Sequence, residues 1–154
     1  MGRKLAIDIG RVRLGIAISD QSGILSSPLD SVSRLADDSE TIQEILKIVA
    51  DNEVQEIYVG DPVSLSGEIT PSTDDARNFA SVLQSTTAIP VRLIDERLTT
   101  VTAARNLRDS GKNAKTSKSL IDSASAVVIL EAVLQVERVS GEAAGRSVGD
   151  LLGS

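Results

Sequence analysis

Asp8 stands in an otherwise apolar run, with Leu5-Ala6-Ile7 before it and Ile9 after it, that reads as a strand through the middle of a sheet. An unpaired carboxylate buried there would cost several kcal/mol, so it needs a partner, a metal or access to solvent. An Asp bonded to turn amides near Gly10 would also account for it. Glu96 follows the apolar Val91–Ile94 strand, at the end where open α/β sheets present ligands, although an ion pair with Arg97 is an alternative. Asp122 lies early in the most apolar helix of the chain. Stepping along one face from it reaches Ser125, Ala126 and Ile129, all small or apolar, so the acid looks inward. The plainer reading is a favourable acid in a first helical turn.

The first strand, the fifth strand and the last helix can converge on one point at the strand ends. Three carboxylates ~4 Å apart would repel by ~4 kcal/mol per pair at an effective dielectric near 20, which divalent cations would relieve. The chain has no cysteine and no histidine, so thiol nucleophiles, Cys/His zinc sites and imidazole bases are excluded. Hard oxygen ligands select Mg²⁺ or Mn²⁺. Two such ions, ~3.5–4 Å apart, clamp the attacking and leaving oxygens in phosphodiester cleavage. Asp8, Glu96 and Asp122 are therefore the candidate catalytic and metal-binding residues.

The elements that must position them follow from pattern. Leu5–Ile9 and Leu14–Ser19 flank a Gly-Arg-Val-Arg turn as a hairpin, and Ile24–Val32 continues as a third strand that Pro28 confines to an edge or bulge. A helix follows with Ile42, Ile45, Leu46 and Val49 at helical spacing. Glu56–Val59 is a short strand, and Asp74–Gln84 a helix that buries Phe79, Val82 and Leu83. Pro90–Ile94 is the fifth strand. A helix capped at Thr99 or Thr100 runs to about Arg108, Ser110–Lys118 is a basic loop, and Leu120–Val136 is the last helix, with Ile121, Ala124, Val128 and Ile129 among its buried candidates. The expected architecture is α/β, a five-stranded mixed sheet in the order βββαβαβαα with helices on both faces. Its 154 residues suit one domain, 1–137, followed by a flexible Gly/Ser/Ala-rich tail, 138–154. No stretch approaches the ~20 apolar residues of a membrane span, and the start lacks a signal-peptide apolar region, so a cytoplasmic protein is expected.

The net charge of −6 argues against tight nonspecific binding to nucleic acid, but its distribution does not. Residues 1–18 set Arg3, Lys4, Arg11 and Arg13 against Asp8 alone, and residues 97–121 set six cations against Asp109. These two basic islands flank a stretch, 19–96, with four cations and fifteen acids. A solvated loop and helix face would explain them equally well.

The motifs resemble those of the YqgF family, ribonuclease-H-like proteins described as pre-16S rRNA nucleases or Holliday junction resolvases. Asp8-Ile9-Gly10 through Arg13-Leu14-Gly15 matches the family's opening hairpin. Asp95-Glu96-Arg97-Leu98-Thr99-Thr100 matches its most specific motif, Ile121-Asp122-Ser123-Ala124 through Leu130 its final helix, and Gly60 and Pro62 its glycine–x–proline loop. The resemblance covers roughly residues 3–137. It implies a ribonuclease-H-like fold, Asp8, Glu96 and Asp122 as catalytic acids and metal ligands, Mg²⁺ or Mn²⁺, and structured RNA or branched DNA as partner. Asp61 departs from the family's usual apolar residue; it is either a solvated loop residue or a fourth acid acting through water. Arg11, Arg13 and Arg97, with Lys112, Lys115 and Lys118, are the expected phosphate contacts. The expected activity is a metal-dependent endonuclease maturing the end of pre-16S ribosomal RNA, as a monomer or weak homodimer. Alternatives are a resolvase for branched DNA, a nucleic-acid or ribosome-assembly factor without turnover, and an ATP-binding fold of the actin and sugar-kinase type. That last fold binds nucleotide between two such domains, and this chain supplies one. With Tyr58 and Phe79 as its only aromatics, the chain is poorly suited to binding single strands by stacking.

Overall fold

The computed structural model describes residues 2–99 and 122–149. Strands β1 (Arg3–Ile9) and β2 (Arg13–Ser19) form the antiparallel hairpin, with Asp8 opposite Gly15. Strand β3 (Ser26–Ser33) pairs antiparallel with β2 as a sheet edge, and Pro28 sits opposite Ala17, where the edge excuses its missing N–H. Helix α1 (Asp38–Asp51) starts at Asp37, whose side chain accepts from the Ser39 amide. Strand β4 (Val54–Asp61) runs parallel to β1, and β5 (Val91–Asp95) parallel to β4. Between them α2 (Pro71–Thr86) opens with a Thr70/Thr73 capping box and Pro71 in its first turn. A 3₁₀ turn, Glu96–Leu98, follows β5, and α3 (Ala124–Ser140) packs back on the sheet.

The sheet order is β3-β2-β1-β4-β5-β6, with a sixth strand, Arg146–Ser147, antiparallel to β5. Five strands were expected; the sixth comes from the segment read as a tail. In its described part that segment is docked. Helix α3 runs to Ser140, Gly141 ends it in the left-handed region, and Ala144 and Val148 are buried. Arg92 clamps the segment, donating from Nε to the Ala144 carbonyl at 2.6 Å and from Nη2 to that of Gly145 at 2.8 Å.

Alternation along the strands makes two cores. Leu5, Ile7, Leu14 and Ile16 face Ile42 and Ile45 of α1 and Phe79 and Leu83 of α2. On the opposite face Ala6, Ala17, Tyr58 and Ile94 meet Ala126, Ile129, Leu130 and Val133 of α3. Val82 departs from the sequence reading: the buried stripe of α2 is Thr73, Ala76, Phe79, Ala80 and Leu83, and Val82 falls beside it, 43% exposed. The helix expected from Thr99 or Thr100 to Arg108 and the basic loop with Lys112, Lys115 and Lys118 lie outside the described residues.

Candidate active site

The face of the sheet covered by α3 carries Asp8, and strand register sets what surrounds it. Leu5 and Ile7 point to the α1/α2 side and Ala6 to the α3 side, so Asp8 points to α3. Its partner across the hairpin on that face is Gly15. On the other side Ile7 pairs with Val59, which puts Gly60 next to Asp8 on the same face. Both glycines are occupied by what a side chain would displace. A Cβ on Gly15 would lie 2.5 Å from the Asp122 carbonyl oxygen. A Cβ on Gly60 would lie 2.5 Å from Glu96 Oε2 and 2.9 Å from Ile129 Cδ1. Asp8 thus lies in a trough between two glycines, with Glu96 laid over one and the backbone of Asp122 over the other.

That arrangement answers a distance problem. β1 and β5 are not neighbours, and with strands ~4.8 Å apart an acid at the end of β5 starts ~10 Å from β1. By lying across Gly60, the Glu96 side chain bridges much of the gap, and a glutamate is long enough to do so. Asp8 and Glu96 are both buried, at 4% and 7% exposure.

Asp122 precedes α3 rather than sitting in its first turn, and Ser123 fixes its place. The Ser123 hydroxyl donates to the Leu29 carbonyl at 2.6 Å and accepts from the Ile16 amide at 3.0 Å, stitching the helix start to β2 and β3. Sequence reasoning missed this role; a serine before an apolar helix signals a cap, yet here its side chain bonds the sheet and not the helix. The Asp122 carboxylate receives Arg13 Nη1 at 3.3 Å. Among the described residues no three acidic side chains are gathered into a group that holds a metal ion as placed. The donor set nonetheless fits a hard cation in its chemistry: it is all oxygen, and two of its carboxylates are buried on one face. Mg²⁺ characteristically takes one or two protein carboxylates and keeps its waters. One turn in from Asp122, Ser125 Oγ is buried with no hydrogen-bond partner among the described residues.

The other predicted residues are placed as follows. Arg11 and Arg13 are exposed on the hairpin turn. Arg97 folds back on Asp95, with contacts of 2.6 and 3.0 Å, and holds that carboxyl below its ordinary range despite partial burial. Asp61 is no loop residue. It ends β4 opposite Asp95, is 2% exposed, and takes a bidentate pair from Arg77 at 2.9 Å, with Arg146 at 3.5 Å. Arg34, another residue the sequence did not single out, reaches from the end of β3 to the hairpin turn. It donates to the Gly10 carbonyl at 3.0 Å, to Asp75 at 2.7 and 2.8 Å and to Asp38 at 3.3 Å, and stacks over Phe79. Its only sequence signal is a lone cation in an acidic stretch.

Comparison with known proteins assigns the chain to a family and a fold. The model of the RuvX family, described as Holliday junction resolvase, matches residues 2–136. A protein of Rhodococcus erythropolis is 46% identical over 97% of this chain and 86% of its own, and one of Leifsonia xyli is 45% identical over 99% and 97%. Both carry the name "Putative pre-16S rRNA nuclease". Among solved structures, Thermus thermophilus RuvC in complex with a Holliday junction substrate superposes with a TM-score of 0.57 at 14% identity, covering 96% of this chain and 99% of that one. That likeness shows the ribonuclease-H-like fold. The opening hairpin, the Glu96 motif and the Asp122 helix all fall within the matched span, and the chain belongs to the RuvX family, the YqgF-type proteins its motifs resemble.

Proposed function

We propose that this chain is an endonuclease of structured nucleic acid, that Asp8, Glu96 and Asp122 hold its divalent cations, Mg²⁺ or Mn²⁺, and that it matures the precursor of 16S ribosomal RNA. The observation that supports this best is the glycine trough. A buried aspartate is flanked on both neighbouring strands by residues without side chains, and the second acid is laid across one of them. Such a layout lets a second carboxylate lie over the strand next to the first, which a purely structural aspartate would not need.

Asp8 and Glu96 approach from β1 and β5 and fix the cation side of the site, while Ser123 anchors the segment from which Asp122 reaches in. Bound divalent cations would supply the water activation and charge neutralisation for which a histidine-free chain has no side chain. Arg11 and Arg13, exposed beside the trough, offer guanidinium groups to the substrate's phosphates. Lys112, Lys115 and Lys118, outside the described residues, are further candidate phosphate contacts from the sequence. No described helix is long and apolar enough to cross a membrane, and processing of ribosomal RNA would place the chain in the cytoplasm.

The test is cleavage of a precursor 16S rRNA fragment and of a four-way DNA junction, side by side, with Mn²⁺ or Mg²⁺. The RNA should be cut, and Asp8→Asn, Glu96→Gln and Asp122→Asn should each slow the reaction by about 100-fold or more. Preferential cutting of the junction would replace the RNA assignment with the resolvase one. Cleavage undiminished in the three variants would remove the site, and binding without cleavage under any divalent ion would leave an assembly factor.

A further inference from the structure

Beyond Glu96 the sheet edge opens into a cavity of about 650 Å³, within the range of small-ligand sites. Its floor is apolar, made by Ile94 of β5 with Ala132 and Val136 of α3, and its outer wall is the Ala144–Arg146 segment. This wall is built rather than incidental. Gly145 has a φ of +71°, and a Cβ there would collide with the Leu93 carbonyl, so only glycine brings the segment this close to β5. Arg92 then holds the carbonyls of Ala144 and Gly145.

Three arginines and two aspartates also line the cavity. Arg77 is committed to Asp61 through two 2.9 Å bonds, and Arg97 to Asp95. Arg146 is the loosest: it is 60% exposed and touches Asp61 only at 3.5 Å. An apolar slot of this size with a guanidinium at its mouth matches a planar heteroaromatic ring carrying an anionic group. The cavity adjoins the Glu96 turn, since Asp95 and Arg97 are both in its lining.

We propose that this cavity is a nucleotide subsite, which takes one unstacked nucleotide of the substrate strand with its base against Ala132 and Val136 and its phosphate on Arg146. This rests on the nuclease reading and supplies what the chain otherwise lacks. Its only aromatics, Tyr58 and Phe79, are both buried, so no exposed aromatic ring can receive a displaced base. Here an aliphatic slot and an arginine plane take that part.

The experiment uses the full-length ¹⁵N-labelled chain in EDTA, titrated with nucleoside 5′-monophosphates, with the matching nucleosides and with inorganic phosphate. The mononucleotides should shift the amides of Ala132, Val136 and Arg146 and bind about tenfold more tightly than either fragment. Arg146→Ala should weaken them about tenfold, and Val136→Trp, at a position 38% exposed, should block the slot while the other amides keep their wild-type positions. An oligonucleotide with one unpaired residue should compete, and a fully paired duplex should not. Phosphate binding as well as the nucleotides would reduce the site to an anion patch, and nucleotides that no oligonucleotide displaces would make the ligand a free metabolite; either overturns the proposal, as does the absence of shifts. Because these titrations contain no metal, a chain that cleaves RNA but fails them loses the subsite alone. A chain that passes them yet cleaves nothing loses the nuclease reading instead.

Discussion

Gly15 and Gly60 show at the scale of single residues how much the candidate site depends on atoms that are missing. A methyl group on Gly60 meets the far ends of two flexible side chains, the Glu96 carboxylate and Ile129 Cδ1. Gly60→Ala should therefore cost about 1 kcal/mol of stability, yet cut cleavage about tenfold or more by moving an acid off its position. A methyl on Gly15 meets the Asp122 main chain, which cannot swing. Gly15→Ala should lower the urea midpoint by the equivalent of about 1–3 kcal/mol. Equal effects of the two on stability would mean that the side chains over Gly60 yield no more than the main chain over Gly15 does. Asp8 and Glu96 stand out in the sequence as carboxylates beside apolar runs, and the fold buries both. The two glycines do not stand out, since a glycine in a strand says nothing about its neighbour until register is known.

At the scale of elements, the hairpin bearing Asp8, Arg11 and Arg13 is tied down by Arg34, which joins its turn to α1 and α2. The Arg34 guanidinium bonded to Asp75 holds that carboxyl below the ordinary carboxylate range, outweighing the opposite pull of burial. A lowered carboxylate pKa contributes stability above the unfolded value, about 3.9, and that contribution is lost as pH falls through the folded value. The wild type should thus be more stable than Asp75→Asn at pH 6, and the difference should shrink steadily below about pH 4 in urea titrations. A constant difference across that range would show that the ion pair does not titrate with folding. The order of strands and helices was readable here from apolar spacing and turn residues. Arg34 was not, because its partners come from α1, α2 and the hairpin, 4 to 41 residues away.

For the whole molecule, the docked segment after α3 changes what counts as the domain. Ala144 and Val148 are 2% and 1% exposed, and Arg146–Ser147 pair with β5. Ending the chain at Ser140 should cost about 2–4 kcal/mol, read as a lowered urea midpoint with the far-ultraviolet spectrum nearly unchanged. A truncated chain as stable as the full one would restore the view of residues 138–154 as a flexible tail. Composition pointed elsewhere: glycine, serine and alanine suit a loose terminus, yet in this segment Gly145 permits close approach to β5, and Ala144 and Val148 are buried.

Periodicity and turn chemistry, which are local, were enough to specify a mixed α/β sheet, its edge proline and the three acids worth attention. Whether those acids meet depends on strand order, on register and on two residues that contribute no side chain, and these are long-range properties that the sequence does not display locally. Tertiary packing alone decided that Asp61 is a buried ion-pair partner, that Ser123 anchors the last helix to the sheet, and that the chain's final described residues form the wall of a cavity. In each case the deciding partner lies far along the chain, brought close only when apolar faces on both sides of the sheet are buried.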